Sequence, residues 1–209
     1  MNKVIAIVDY GMGNVQSICN VLEKLKYNVI LTKDRDEILK SDALILPGVG
    51  AFKNAMAQLK EDNLKGILKE YVESEKPLLG ICLGMQLLFN ESDEFGLTKG
   101  LGFIEGRVEK FSKDLEGKLP HISWNNLKPK SIDWDNSIFN GVEQESDFYF
   151  VHSYICKPKN SRVILSETEY GGIEFCSAVQ KNNIYGCQFH PEKSAENGIR
   201  IVENFLRMI

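Results

Sequence analysis

The sequence predicts an α/β fold: a flavodoxin-like, doubly wound, mostly parallel sheet with helices on both faces, extended by an added β-rich second half. Three observations carry this. Short apolar runs alternate with helical patterns through the first half, the signature of a parallel sheet covered on both faces. One apolar run ends on a cysteine flanked by two glycines, just before a helix-like stretch. From Phe103 onward, alternating β-like runs replace the helical periodicity until the last helix.

Taken in order, Val4 to Asp9 is the first strand and Val15 to Leu25 a helix with Val15, Ile18, Val21, Leu22 and Leu25 on one side. Strands follow at Asn28 to Leu31 and Ala43 to Leu46. Gly48 and Gly50 open a loop into a helix over Phe52 to Leu59; a second helix covers Leu64 to Val72, and Leu78 to Ile81 is the strand that carries Cys82. This βαβαβαβα order favours the flavodoxin-like arrangement. The second half contributes Phe103 to Phe111, His121 to Leu127, Phe148 to Tyr154, Val163 to Ser166, Glu174 to Val179 and Ile184 to Phe189. Turns at Tyr170-Gly171-Gly172 and Lys181-Asn182-Asn183 separate some of these runs, and Ser194 to Met208 is the final helix.

With 209 residues, 43% of them hydrophobic, the chain reads as one domain over 1–209 with a real core. The net charge of −4 is spread through the sequence, which argues against the basic stripe of a nucleic-acid binder. The apolar N-terminal run is too short for a signal peptide, and no stretch approaches the ~18 apolar residues of a membrane span. Five cysteines without a CxxC pair argue against a disulfide framework or zinc site. The expectation is a cytoplasmic protein with no metal, no cofactor, no nucleic acid and no membrane partner.

The chemistry concentrates in two segments. In Pro77-Leu78-Leu79-Gly80-Ile81-Cys82-Leu83-Gly84-Met85-Gln86, a strand turning sharply into a helix presents the side chain at the turn, and small neighbours relieve the crowded backbone. In Gln188-Phe189-His190-Pro191-Glu192-Lys193-Ser194, an imidazole stands two residues from a carboxylate. A thiol with pKa of about 8.5 is mostly protonated at neutral pH; it needs a base, and the base needs an orienting acid. Cys82, His190 and Glu192 fit those roles, with Glu192 reaching the imidazole along an extended chain. Cys19, Cys156, Cys176 and Cys187 read as small buried hydrophobes. His121 and His152 read as structural or substrate-adjacent, with His152 placed to line a pocket. Pro47-Gly48-Val49-Gly50-Ala51-Phe52 lies at the carboxyl edge of the sheet beside Cys82, where glycines let N–H groups face a developing oxyanion. Asp9-Tyr10-Gly11-Met12-Gly13-Asn14 lacks the third glycine of a dinucleotide fingerprint.

With its elbow and its His190-Pro191-Glu192 element the chain resembles the class I (triad) glutamine amidotransferases. Through the Asp9 to Asn14 and Pro47 to Phe52 loops, Pro120-His121-Ile122-Ser123-Trp124-Asn125 and Tyr149-Phe150-Val151-His152-Ser153-Tyr154, it is more closely similar to the glutaminase subunits of imidazole glycerol phosphate synthase. The resemblance implies that Cys82 attacks the side-chain amide of L-glutamine, that His190 shuttles the protons and that Glu192 orients it. It implies an oxyanion hole from the Leu83 N–H and a second N–H at Val49 or Gly50, and places Gln86, Glu94, His152 and Ser153 around the substrate. It also implies a heterodimer with a (β/α)8-barrel cyclase subunit, HisF or a homologue, that receives the ammonia. Asn14, Trp124, Tyr149 and Lys193 fall in stretches that border that partner in relatives; Trp124 has a core anchor as its alternative and Lys193 a solvated charge. Ser123 departs from the glycine common in relatives. A paralogous glutaminase supplying ammonia to a bacterial surface-polysaccharide sugar is the alternative reading. A non-catalytic regulatory subunit or a DJ-1-like protein accounts less well for the three residues together.

Overall fold

A computed structural model describes residues 3–13 and 15–209. In chain order the first elements are β1 (Val4–Val8), α1 (Val15–Lys24), β2 (Asn28–Thr32), α2 (Arg35–Lys40), β3 (Ala43–Leu46), α3 (Phe52–Glu61), α4 (Leu64–Glu73), β4 (Leu78–Ile81) and α5 (Leu83–Leu87). Then come β5 (Phe89–Ser92), β6 (Thr98–Lys99), β7 (Ile104–Lys110), β8 (His121–Asn126), β9 (Lys128–Pro129), β10 (Asp147–His152), β11 (Tyr154–Pro158), β12 (Ile164–Tyr170), β13 (Ile173–Lys181), β14 (Ile184–Cys187) and α6 (Ala195–Leu206).

The apolar runs become buried strands because both faces of the sheet are covered. Alternate residues of β1 enter different cores: Ile5 and Ile7 join Ile18 and Leu22 of α1 with Ile201 and Phe205 of α6, and Ala6 and Val8 join Ile38, Leu59 and Leu68 of α2, α3 and α4. One 12-stranded sheet runs in the order β2-β1-β3-β4-β14-β13-β11-β7-β5-β6, with β12 and β9 branching from β13. From β2 to β14 the pairing is parallel, the 2-1-3-4-5 order of a flavodoxin-like sheet. Its fifth place is filled by the last strand of the chain. Beyond β14 the sheet turns antiparallel except where β5 joins β7.

The predicted elements of the first half are present; β5 and β6 are added at its end, and α2 adds a helix that periodicity misses. Its start is capped by Asp34, whose carboxylate accepts from the Asp36 and Glu37 N–H groups at 2.9 and 3.0 Å. In the second half, the run predicted as one strand from Phe148 to Tyr154 divides at Ser153. β10 pairs with β8 in a separate two-stranded sheet, whereas β11 enters the main sheet between β7 and β13. The chain changes sheets there, and the change sets Ser153 at the wall of the cavity described below. Among the described residues no helix is long and apolar enough to cross a membrane.

Candidate active site

Cys82 alone makes the turn between β4 and α5, at φ 53° and ψ −111°, a conformation that an L residue adopts only when its surroundings impose it. Two glycines make that possible. A Cβ on Gly84 would overlap the carbonyl oxygen of Leu46 at the end of β3, and one on Gly80 would lie 2.8 Å from the Gly84 backbone. The Cys82 N–H donates to the Cys187 carbonyl at 2.7 Å, continuing the β4–β14 pairing by one step. This ties the position of the thiol to the strand that leads to His190.

At the end of β14 the geometry corrects the extended approach expected for Glu192. Pro191–Lys193 form a single 3-10 turn, for which proline is suited because it has no N–H to lose in a first turn. The turn folds Glu192 back under the ring, and His190 Nδ1 lies 2.8 Å from Glu192 Oε1. Both side chains are only 3% exposed. Burial opposes a charge on His190, but Cys82 and Glu192 outweigh it and raise the pKa to about 10. The other ring nitrogen, Nε2, is buried with no hydrogen-bond partner among the described residues. It is the nitrogen left for Cys82. Burial pushes the thiols of Cys156, Cys176 and Cys187 upward.

A cavity of about 270 Å³ opens over Cys82 and is lined by Val49, Gly50, Leu83, Gln86, Glu94, His152, Ser153 and His190, bringing together residues from five separate stretches of sequence. Tyr10 holds the glycine loop from below: its hydroxyl donates to the Pro47 carbonyl at 2.6 Å, and Gly48 packs so close that a Cβ would come within 2.7 Å of that hydroxyl. Gly50 sits at φ +101°, in the region that glycine tolerates. Among the described residues the N–H groups of Val49 and Gly50 make no backbone hydrogen bond outside regular elements.

Two pocket residues carry structural duties that the sequence did not reveal. Glu94 Oε2 accepts from the Phe52 N–H at 2.6 Å and thereby caps α3, whose own N-cap position, Ala51, has no side chain to do so. Burial raises the Glu94 pKa and that N–H restrains the rise. Gln86 is almost fully buried and donates from Nε2 to Gln188 Oε1 at 3.0 Å and to the Tyr154 carbonyl at 3.2 Å. Gln188, Tyr154, Val151 and Pro120 also belong to the site or its cavity; all four stood in quoted motifs without being given a role, because a lone amide or a backbone carbonyl has no spacing signal.

Of the four partner-facing expectations, Asn14 lies outside the described residues. Trp124 is 49% exposed, which excludes the core-anchor alternative. Its ring packs at 5.9 Å against Tyr149 across the β8–β10 pair, and Lys193 Nζ lies 5.7 Å from the Tyr149 ring centre. Among the described residues no group of three His, Cys, Asp or Glu side chains is arranged to hold a metal ion.

The family model for class-I glutamine amidotransferases matches residues 6–209. The imidazole glycerol phosphate synthase subunit HisH 2 of Methanococcus maripaludis is 50% identical over 207 residues, covering 98% of this chain and 99% of that protein. The HisH subunit of Moorella thermoacetica is 43% identical over 208 residues, covering 99% of this chain and 96% of that protein. Among solved structures, PurLQS from Thermotoga maritima superimposes with a TM-score of 0.73 at 18% identity, covering 100% of this chain and 99% of that one, which speaks to the fold. With a strained cysteine, a buried His–Glu pair and end-to-end similarity to HisH subunits, the chain belongs to the class-I glutamine amidotransferases, in the family of imidazole glycerol phosphate synthase HisH subunits.

Proposed function

We propose that the chain is a glutaminase subunit that hydrolyses L-glutamine to glutamate and ammonia for imidazole glycerol phosphate formation in histidine biosynthesis. The observation that carries the catalytic assignment is the pairing of the strained Cys82 with an imidazole whose Nδ1 is held by Glu192 and whose Nε2 is buried and free. In this reading Cys82 sulfur attacks the amide carbon and the carbonyl oxygen takes the negative charge against the N–H groups of Leu83 and of Val49 or Gly50. His190 gives its Nε2 proton to the departing nitrogen, leaving ammonia and a thioester. Water then loses a proton to His190 and attacks the thioester; glutamate leaves, and the proton returns to sulfur. Gln86, Glu94, His152 and Ser153 shape the space for the amino-acid end. A carboxylate suits that end because a desolvated ammonium needs a paired charge.

Ammonia released into water is protonated and lost as a nucleophile, so the proposal includes a partner: a (β/α)8-barrel cyclase subunit, HisF or a homologue, seated where Trp124, Tyr149 and Lys193 stand, with Asn14 assigned to the same border from the resemblance alone. The exposure of Trp124 and Ile122, at 49% and 56%, supports a docking face there. One glutaminase domain over residues 1–209 is supported by the 12-stranded sheet, which takes strands from both halves, and a cytoplasmic location by five free cysteines.

The test is direct. A glutamine-like electrophile followed by peptide mapping should label Cys82, and Cys82→Ala should abolish glutamate release while the fold and partner binding persist. Mixed with the cyclase subunit, its ribonucleotide substrate and glutamine, the protein should yield imidazole glycerol phosphate, with glutamine hydrolysis faster than by the chain alone. Label on Cys176 or Cys187 would overturn the nucleophile; binding only to the barrel of a sugar amidotransferase would move the acceptor to the surface-polysaccharide alternative.

A further inference from the structure

A continuous line of polar contacts runs from the partner-facing strand β8 to the thiol. Its outer end is Ser123, next to the exposed Trp124. Ser123 Oγ lies 2.8 Å from His121 Nε2, and His121 Nδ1 lies 2.9 Å from His152 Nε2. His152 Nδ1 lies 2.8 Å from the Tyr154 carbonyl oxygen, which also accepts from Gln86 Nε2 at 3.2 Å. Gln86 Nε2 donates to Gln188 Oε1 at 3.0 Å, and Gln188 Nε2 points at Cys82 Sγ at 3.9 Å. The His121 ring is held between Tyr170, stacked at 3.9 Å, and Phe150, stacked at 5.2 Å, so it has no freedom to leave the line.

The direction of each bond follows from donor and acceptor chemistry. A carbonyl oxygen only accepts, so His152 Nδ1 carries a proton. Burial pulls His152 down to about 3 and lowers His121 as well, so both rings are neutral near pH 7. His152 Nε2 is then an acceptor, His121 Nδ1 is the donor to it, and His121 Nε2 is left as an acceptor in need of a proton. Asn125 Oδ1 also lies 2.8 Å from that nitrogen, but it is itself an acceptor, because its Nδ2 is turned to the Glu169 carbonyl at 3.3 Å. The Ser123 hydroxyl also faces Asn125 Oδ1 as a donor in a close contact, so its single proton has two acceptors, that oxygen and His121 Nε2. Of the two groups against His121 Nε2, only the Ser123 hydroxyl has a proton to give, and a neutral His121 with Nδ1–H draws that proton away from Asn125.

We propose that Ser123 is a positioning residue for the glutaminase reaction: its hydroxyl fixes the tautomers of His121 and His152, and these hold the Val151–Tyr154 segment in place against Gln86 and Cys82. That segment matters because the Val151 carbonyl faces Cys82 Sγ at 3.8 Å while the Tyr154 carbonyl anchors Gln86. Removing the hydroxyl leaves His121 Nε2 against an acceptor, and the ring must take a proton there. A tautomer change then passes inward and turns a lone pair of His152 toward the Tyr154 carbonyl, which moves the wall of the site. The proposal rests on the glutaminase reading for its kinetic consequence, not for its proton pattern.

Imidazole nitrogen NMR of the full chain labelled at histidine reads the pattern without turnover. We expect neutral Nδ1–H rings at both His121 and His152 near pH 7, and a proton on His121 Nε2 in Ser123→Ala. In glutaminase assays with the cyclase partner, Ser123→Ala should lower kcat about 2- to 10-fold, the loss expected of one hydrogen bond, with KM within about twofold, and Ser123→Thr should restore it by returning the hydroxyl. A His121 ring protonated at Nε2 in the unsubstituted protein, or an unchanged kcat in a Ser123→Ala protein that folds, would overturn the proposal. An inactive unsubstituted protein, or an active Cys82→Ala, would instead overturn the glutaminase reading and leave the nitrogen spectrum to decide the proton pattern.

Discussion

His190 at the end of β14 and His152 at the end of β10 are both buried, 3% and 6% exposed, and both line the same cavity, yet they are driven in opposite directions. His190 is raised to about 10, with Cys82 and Glu192 outweighing the opposing effect of burial. His152 falls to about 3, because burial dominates and its partners are a carbonyl and a second imidazole that has no negative charge to offer. Depth alone does not decide the charge of a buried histidine; the acid or base set against it does. In the proposed reaction one region carries a proton, and in the proposed network the other holds a wall still.

The largest way to break this comparison is to remove the ring. His190→Ala should lower glutamine turnover by at least about 10³-fold, since members of such a unit fail together. Glu192→Gln should cost less and should bring the His190 titration down, because the amide holds the ring without a charge. Steady-state kinetics and histidine NMR check both; near-normal turnover in His190→Ala would end the triad assignment.

A smaller effect sharpens the contrast through pH. Histidine in an unfolded chain titrates near 6.5. His190, raised in the folded state, contributes stability that is complete below about 6.5 and lost as pH rises toward about 10; His152, lowered, contributes stability that is present above about 6.5 and lost as pH falls toward about 3. Urea unfolding across pH should show His152→Asn with a shallower acid-side loss, by roughly 1 kcal/mol per pH unit, and an unchanged alkaline side. Equal acid slopes in the two proteins would show that His152 does not stay neutral.

The smallest expected effect concerns Glu94, which faces the cavity and caps α3. Glu94→Ala should reduce stability by about 1 kcal/mol through the lost cap and raise KM for glutamine. Glu94→Gln keeps an acceptor for the Phe52 N–H and should recover most of the stability but not the KM. If both variants bind glutamine normally, Glu94 is a cap alone.

Much of this site was legible because it is encoded by residues with few alternatives. Gly80 and Gly84 mark the elbow since no side chain fits at either place, and His190 and Glu192 sit within one short turn. The strands β1, β3 and β4 of the parallel half were legible for a similar reason: burial on both faces leaves a run with no polar interruption. The unread parts depend on partners far away in sequence. Gln188 gains its meaning from Gln86 and Cys82, and His121 from a register that pairs it with His152. The break at Ser153 follows from β10 and β11 finding different sheets. α2 is the exception; Asp34 followed by Asp36 and Glu37 was a local start signal that hydrophobic periodicity passed over.

The place of β14 in the sheet has a further consequence for how the protein is made. The thiol belongs to an elbow encoded before residue 90, but the strand beside it is the last in the chain, and Gln188 touches Cys82 across 106 residues. On the ribosome, the elbow segment is synthesised long before His190 exists. Until β14 slots against β4, the cysteine lacks its proposed base, the nearby Gln188 amide and the Cys187 carbonyl that holds its turn. A chain cut before β14 lacks these contacts, and in the proposed reaction it holds a thiol with nothing to activate it.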